Sequence, residues 1–172
     1  MKKIVCLICV LALVCGMMLT SCGSSDISDT VQPVQGTATT ISVSHADAKP
    51  GEKTVEVALS VWNNPGIVGM TLDLDYDESV LTLTAIKRGD ALSELNFTKP
   101  KDLADGCRLP WDAETVSAEE ATNGVALILR FTVSDTAAPG EYKVVVRNYG
   151  DIIDDNLAPV PVVFEDGGVT VS

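Results

Sequence analysis

Residues 63–83 read Asn63-Asn64-Pro65-Gly66-Ile67-Val68-Gly69-Met70-Thr71-Leu72-Asp73-Leu74-Asp75-Tyr76-Asp77-Glu78-Ser79-Val80-Leu81-Thr82-Leu83. A Pro-Gly turn opens a run of near-perfect alternation. Val68, Met70, Leu72, Leu74 and Tyr76 fall on one side, and Gly69, Thr71, Asp73 and Asp75 on the other. Successive side chains of a strand point to opposite faces, so the run predicts a long, half-buried β-strand over 67–76. Asp77-Glu78-Ser79 is a polar turn, and Val80 starts the next strand.

The same reading extends outward. Strands are predicted at 41–44, 54–62, 67–76, 81–87, 108–111, 125–134, 142–147, 160–164 and 168–171, with turn signals between them such as Lys49-Pro50-Gly51-Glu52, Arg88-Gly89-Asp90, Asn123-Gly124 and Ala138-Pro139-Gly140. Residues 114–121 allow at most a short helical turn. Many short strands and no long helical period indicate an all-β sandwich, and the absence of an internal repeat indicates one module. Trp62, Trp111, Phe131, Tyr142 and Phe164 are expected in its core.

The amino terminus is a separate region. Lys2-Lys3 precedes an apolar stretch from Ile4 to Leu19, short for a membrane span and typical of a signal peptide. It ends Leu19-Thr20-Ser21-Cys22, which resembles a bacterial lipobox; that resemblance implies a diacylglycerol on the Cys22 thiol. Two acyl chains hold a protein on a membrane where one is marginal. The expected organisation is a leader over 1–21, a lipidated cysteine and polar linker over 22–39, and a sandwich domain over 40–172. The 17 residues from 23 to 39 reach at most about 60 Å, so the domain sits near the outer face of the cell membrane.

Four of the five cysteines lie within the first 22 residues, and Cys107 is alone beyond them. The domain therefore has no internal disulfide, and Cys107 is expected as a small buried residue. The net charge is -12; loss of Lys2 and Lys3 leaves ten basic residues against 24 acidic ones. Such a surface excludes nucleic acid and electrostatic docking on anionic lipid.

Three ordered blocks resemble the cohesin family: Asn63-Asn64-Pro65-Gly66-Ile67 with its alternating strand, the segment from Thr122 to Val133, and the ending Val162-Val163-Phe164-Glu165-Asp166-Gly167-Gly168-Val169-Thr170-Val171. The resemblance implies a nine-stranded jelly-roll β-sandwich, immunoglobulin-like in its two-sheet packing. It implies a non-catalytic module that binds dockerin modules of polysaccharide-degrading assemblies. It needs no cofactor, and calcium is expected on the dockerin partner. The expected partners are a dockerin-containing protein and, through the lipid, a membrane, with the module itself a monomer.

In the family the partner lies across the outward face of the sheet formed by strands three, five, six and eight. Carried over onto the nine strands above, that face comprises Gly69, Thr71 and Asp73, then Arg108 and Pro110, then Ala126, Ile128 and Arg130, then Val163 and Glu165. Phe97 and Lys99 join them from the segment before strand five. Gly69 and Thr71 stand where well-known members have Asn and Asp, so two hydrogen-bonding side chains are missing. An apolar centre of Ile128, Pro110, Val163 and Phe97 within a charged rim suits recognition of a helix face. Ile128 and Arg130 are the expected hot spots.

No catalytic residue is expected. His45 is the sole histidine and has no Cys or His companion for zinc, and neither a nucleophile elbow nor a phosphate loop is present. Asp151, Asp154 and Asp155 offer oxygens to Ca²⁺ but lack the spacing of an EF-hand, so a solvated loop is the better reading. The alternative functions are carbohydrate binding and an envelope adaptor. Sugars stack on exposed aromatics. Both tryptophans fall on inward positions, and only Phe97 and Tyr149 look free.

Overall fold

The computed structural model describes residues 38–172. The leader, Cys22 and nearly all of the linker lie outside them. Twelve strands follow: β1 Thr39–Val43, β2 His45–Ala48, β3 Val55–Trp62, β4 Ile67–Tyr76, β5 Leu81–Arg88, β6 Asn96–Phe97, β7 Cys107–Asp112, β8 Gly124–Val133, β9 Gly140–Asn148, β10 Ile153–Asp154, β11 Val162–Glu165 and β12 Gly167–Val171. All nine expected strands are among them. The three additions are short: β2, β6 and β10. No helix occurs among the described residues; 114–121 holds a single turn, in which Glu120 N–H donates to the Ser117 carbonyl and the Glu120 carboxylate accepts from Ser117 N–H and Oγ.

The strands form two sheets. One has the order β11-β1-β3-β8-β5, the other β2-β12-β9-β4-β7-β6, with β10 also pairing β4. The inner faces meet in one core. Leu72, Leu74, Leu109 and Val144 from the second sheet and Ile41, Val57, Leu129 and Phe131 from the first are fully buried. The ring of Tyr76 crosses to Phe131 edge-on at 5.1 Å and an interplanar angle of 74°. The alternation of the decisive stretch is realised residue for residue, because a strand with one face on a core has only one register that buries its apolar set.

The described segment changes sheet at both of its ends. β1 pairs with β3 in one sheet, and after Ser44 the chain continues as β2 beside β12 in the other. β11 and β12 make the same crossing at Asp166, running parallel to β1 and β2 respectively. This crossing closes the sandwich and needs glycine: a Cβ on Gly167 would overlap the carbonyl oxygens of Val43 and Ser44.

The turn that launches β4 is held by Asn64. Its buried side chain accepts from Gly66 N–H at 3.1 Å and Ile67 N–H at 3.0 Å, and donates to the Thr122 carbonyl at 3.1 Å. Asn64 N–H donates to the Asn123 side chain at 2.9 Å. Gly66 adopts φ 104°, a conformation open to glycine and strained for other residues. The Asn-Asn-Pro-Gly turn is thus tied to the turn before β8, which joins the two sheets at that end.

Candidate functional site

The sheet order divides the expected binding residues. Gly69, Thr71 and Asp73 on β4 lie beside Asp112, Pro110 and Arg108 on β7, in register. These share the outward face of the β9-β4-β7-β6 sheet. Ile128 and Arg130 on β8 and Val163 and Glu165 on β11 belong to the other sheet, so the twelve named residues do not form one face. The physical reason lies in strand counting. β6 has only two residues, too few for an alternation to register, and its omission shifts each later strand by one place. The neighbour of β4 is β9, not β11.

Two further residues are corrected. Phe97 does not face outward: it pairs with Trp111, with ring centroids 4.8 Å apart, and packs half-buried against the core. Ala126 is buried, because β8 bulges there. The pairing with β3 passes from Leu59–Leu127 to Ser60–Val125 and skips it. An extra residue resets the alternation. Lys99 is exposed in the segment after β6.

The face that remains has a definite centre. The Arg108 guanidinium lies 3.5 Å from the centroid of the Tyr149 ring, and its Nε is 3.6 Å from an Asp73 carboxylate oxygen. Tyr149 follows β9 and donates its N–H to the Thr71 carbonyl at 3.0 Å. The Arg108 side chain therefore reaches from β7 across β4 to the end of β9, over Thr71 and Asp73. Stacking on an aromatic face occupies one side of the guanidinium plane and leaves its edge donors available. Tyr149 is 50% exposed and is a functional candidate that the carry-over missed. Its signal was the alternation Val145, Arg147, Tyr149 outward against Val144 and Val146 inward.

Arg147, the neighbouring cation, is committed elsewhere. It donates to both oxygens of Asp166 at 2.6 and 3.1 Å and to the Val146 carbonyl at 2.8 Å. Those hydrogen bonds hold the Asp166 carboxyl below the usual carboxylate range.

Gly69 is covered by a side chain from another strand. β10 pairs with β4 at Ile67 and Gly69, and a Cβ on Gly69 would sit 3.4 Å from Ile153 Cγ1. The space above Gly69 is lined by this aliphatic side chain.

The other candidates show no reactive arrangement. Burial, then Asp105, pushes the Cys107 thiol up, which keeps it protonated and poorly nucleophilic at neutral pH. It is half-buried rather than fully enclosed. His45 is exposed on β2. Two carboxylates of the acidic loop are engaged locally: Asp154 Oδ1 accepts from Asn156 and Ala158 N–H, both at 2.9 Å, and Asp155 Oδ1 accepts from the Asn156 side chain, while Asp151 is exposed. No group of three or more metal-ligating side chains is assembled among the described residues.

Two curled sheets around one core, with a polar outward face centred on an arginine–tyrosine stack, define a β-sandwich of the binding-module class. The chain belongs to the cohesin domain family, which it matches over residues 39–171. It is 27% identical over 142 residues to cellulosomal-scaffolding protein A of Acetivibrio thermocellus, covering 77% of this chain and 8% of that protein. The chain thus spans less than a tenth of that relative. Among solved structures it resembles a cohesin in a type I cohesin–dockerin complex from Clostridium thermocellum (TM-score 0.64, 23% identity, 78% of this chain and 99% of the other). It also resembles a non-cellulosomal cohesin from the archaeon Archaeoglobus fulgidus (TM-score 0.66, 18% identity, 78% and 91%). As a cohesin domain it is a non-catalytic binding module that needs no cofactor.

Proposed function

We propose that the chain binds a dockerin-bearing protein through the outward face of the β9-β4-β7-β6 sheet, and that lipidation of Cys22 holds it at the outer face of a bacterial membrane. The partner would be an enzyme or scaffold of polysaccharide breakdown, with calcium carried on the dockerin. The observation that carries the reading is the Arg108–Tyr149 stack above Asp73. It is a solvent-facing aromatic and cation pair at the centre of a sheet face, the composition enriched at protein–protein hot spots. The same contact reduces the room for a sugar, since Arg108 takes one of the two faces of the Tyr149 ring on which a pyranose could stack.

The test is calorimetric titration of the full chain, in mild detergent, with dockerins encoded in the same genome. Calcium-dependent one-to-one binding that is abolished by chelator is expected. Absence of binding across the set, with the fold intact, contradicts the reading. Metabolic labelling with a fatty acid tests the anchor: the parent should take up the label and Cys22→Ala should not, and equal labelling of the two would count against lipidation at Cys22.

A further inference from the structure

The outward face of the first sheet has a floor that the two-sheet packing does not account for. On β3, Val57, Leu59 and Val61 point into the core, so Ala58, Ser60 and Trp62 point away from it. On β1, Ile41 and Val43 point inward, and Thr40 and Ser42 lie outward, opposite Trp62 and Ser60 in register. Trp62, expected in the core, therefore stands on this outward face.

Outward residues of a two-sheet sandwich are normally wetted, yet Ala58 and Ser60 are 0% exposed and Ser42 only 4%. All three are small and sit low among bulkier neighbours: Val163 lies beside Thr40, and Ile128 beside Ala58. The floor is thus a trough. Three polar atoms are buried in it without a hydrogen-bond partner among the described residues: Ser42 Oγ, Ser60 Oγ and Trp62 Nε1. A buried donor left unpaired costs more than a made bond returns, and native folds keep few of them. An indole N–H only donates and a hydroxyl does so readily, so the trough calls for oxygen acceptors.

The chain brings a segment to this spot. β1 lies between β11 and β3, so residue 38 enters at the Trp62 end of the trough. The Ala38 carbonyl accepts from Asn63 Nδ2 at 3.0 Å and Thr40 Oγ1 at 3.3 Å, and Thr39 Oγ1 donates to the Asn63 carbonyl at 2.9 Å. Those bonds pin the chain where it leaves the domain. The 15 residues from 23 to 37 reach about 50 Å, whereas the floor from Trp62 to Ala58 is about 13 Å long. Gly36 suits a reversal of the chain. Backbone carbonyls and the side chains of Gln32 and Gln35 are acceptors, and Val31 and Val34 are aliphatic like Val163 on the rim, which is 49% exposed. A tethered segment acts at an effective concentration of about millimolar, which favours it over a free partner.

We infer that the linker segment 23–37 folds back along this trough, where its oxygens receive Ser42, Ser60 and Trp62. The tether is then shorter than its length allows. The outward face of the other sheet, where the dockerin is proposed to bind, stays open, and the inference holds whether or not a dockerin binds.

The experiment follows amide hydrogen exchange by mass spectrometry on the full chain in mild detergent. It compares the parent, Ser60→Arg and the double variant Val31→Asp with Val34→Asp, with a synthetic peptide of residues 23–37 as the free reference. Linker amides of the parent should exchange about tenfold or more slower than those of the peptide. Ser60→Arg fills the trough, and the double variant puts charge on the docked segment. Both should return the linker to within about twofold of the free rate, with exchange in the strands unchanged. The double variant lies outside the sandwich, so it reads the contact even where Ser60→Arg fails to fold. Free-peptide rates in the parent overturn the inference; a dimer in sedimentation would then make the trough an interface between two copies. Slow linker exchange that survives in either folded variant places the segment elsewhere and overturns it as well.

Discussion

The outward faces of the two sheets carry similar residues in opposite states. On β3 and β8, Glu56 accepts from Arg130 Nε at 3.0 Å and Nη2 at 2.6 Å, and Lys87 lies 3.7 Å from the same oxygen. The Glu56 side chain is only 17% exposed. That cluster is closed: its acceptor is shared by two cations, and its arginine is spent inside the fold. On β4 and β7, Asp73 and Arg108 meet loosely at 3.6 Å, and the Arg108 side chain is 56% exposed above a tyrosine. An arginine whose donors are satisfied internally supports a sheet. One that is stacked but unspent is available to a partner. The comparison moves the expected hot spot from Arg130 to Arg108.

The inner faces should not distinguish the sheets. Phe131 and Leu72 are fully buried, one from each. Phe131→Ala and Leu72→Ala should each cost about 3–5 kcal/mol in urea unfolding. A large effect at one and a small effect at the other would mean that the sheets do not share a core.

The outer faces should differ. Glu56→Ala leaves Arg130 without its acceptor in a half-buried setting and should cost about 1–3 kcal/mol. Asp73→Ala removes a solvent-facing ion pair and should cost under about 1 kcal/mol. Equal losses in denaturant unfolding would erase the distinction between a closed and an open cluster.

A smaller effect comes from the ring that links the two inner faces. Burial pushes the Tyr76 hydroxyl up to about 12 from 10.0. The hydroxyl donates to the Leu103 carbonyl at 2.9 Å. The folded state thus favours the protonated phenol more than the unfolded chain does. This contribution is complete below pH 10 and is lost as the pH rises from there through about 12. Thermal melts over that window should show a decline that Tyr76→Phe flattens; an unchanged slope in the variant would place the alkaline loss elsewhere.

What was legible in the sequence follows from what alternation encodes. The bounds of β4 and the inward set Met70, Leu72, Leu74 and Tyr76 are local properties of a strand with one buried face, and they hold in the structure. Which sheet a strand joins is not local. β8 and β4 both read as apolar on one side and polar on the other, yet they lie in opposite sheets. Two-residue strands such as β6 and β10 have no period at all. Their pairings put Phe97 on Trp111 and Ile153 beside Gly69, and both contacts span long stretches of chain. The bulge at Ala126 likewise depends on the partner strand. Gly69, Thr71, Asp73, Arg108 and Pro110 came together because the family likeness carried β4 and β7 correctly. Arg130 and Ile128 did not join them, because their strand belongs to the other sheet.

Titration of the full-length Arg108→Glu and Ile128→Asp variants against one calcium-loaded dockerin tests the docking face most directly. Arg108→Glu should weaken binding by about thirtyfold or more, as loss of a central hot spot does, and Ile128→Asp should leave it within about twofold. The reverse pattern, with Ile128→Asp abolishing binding and Arg108→Glu sparing it, would place the partner on the opposite sheet and contradict the account.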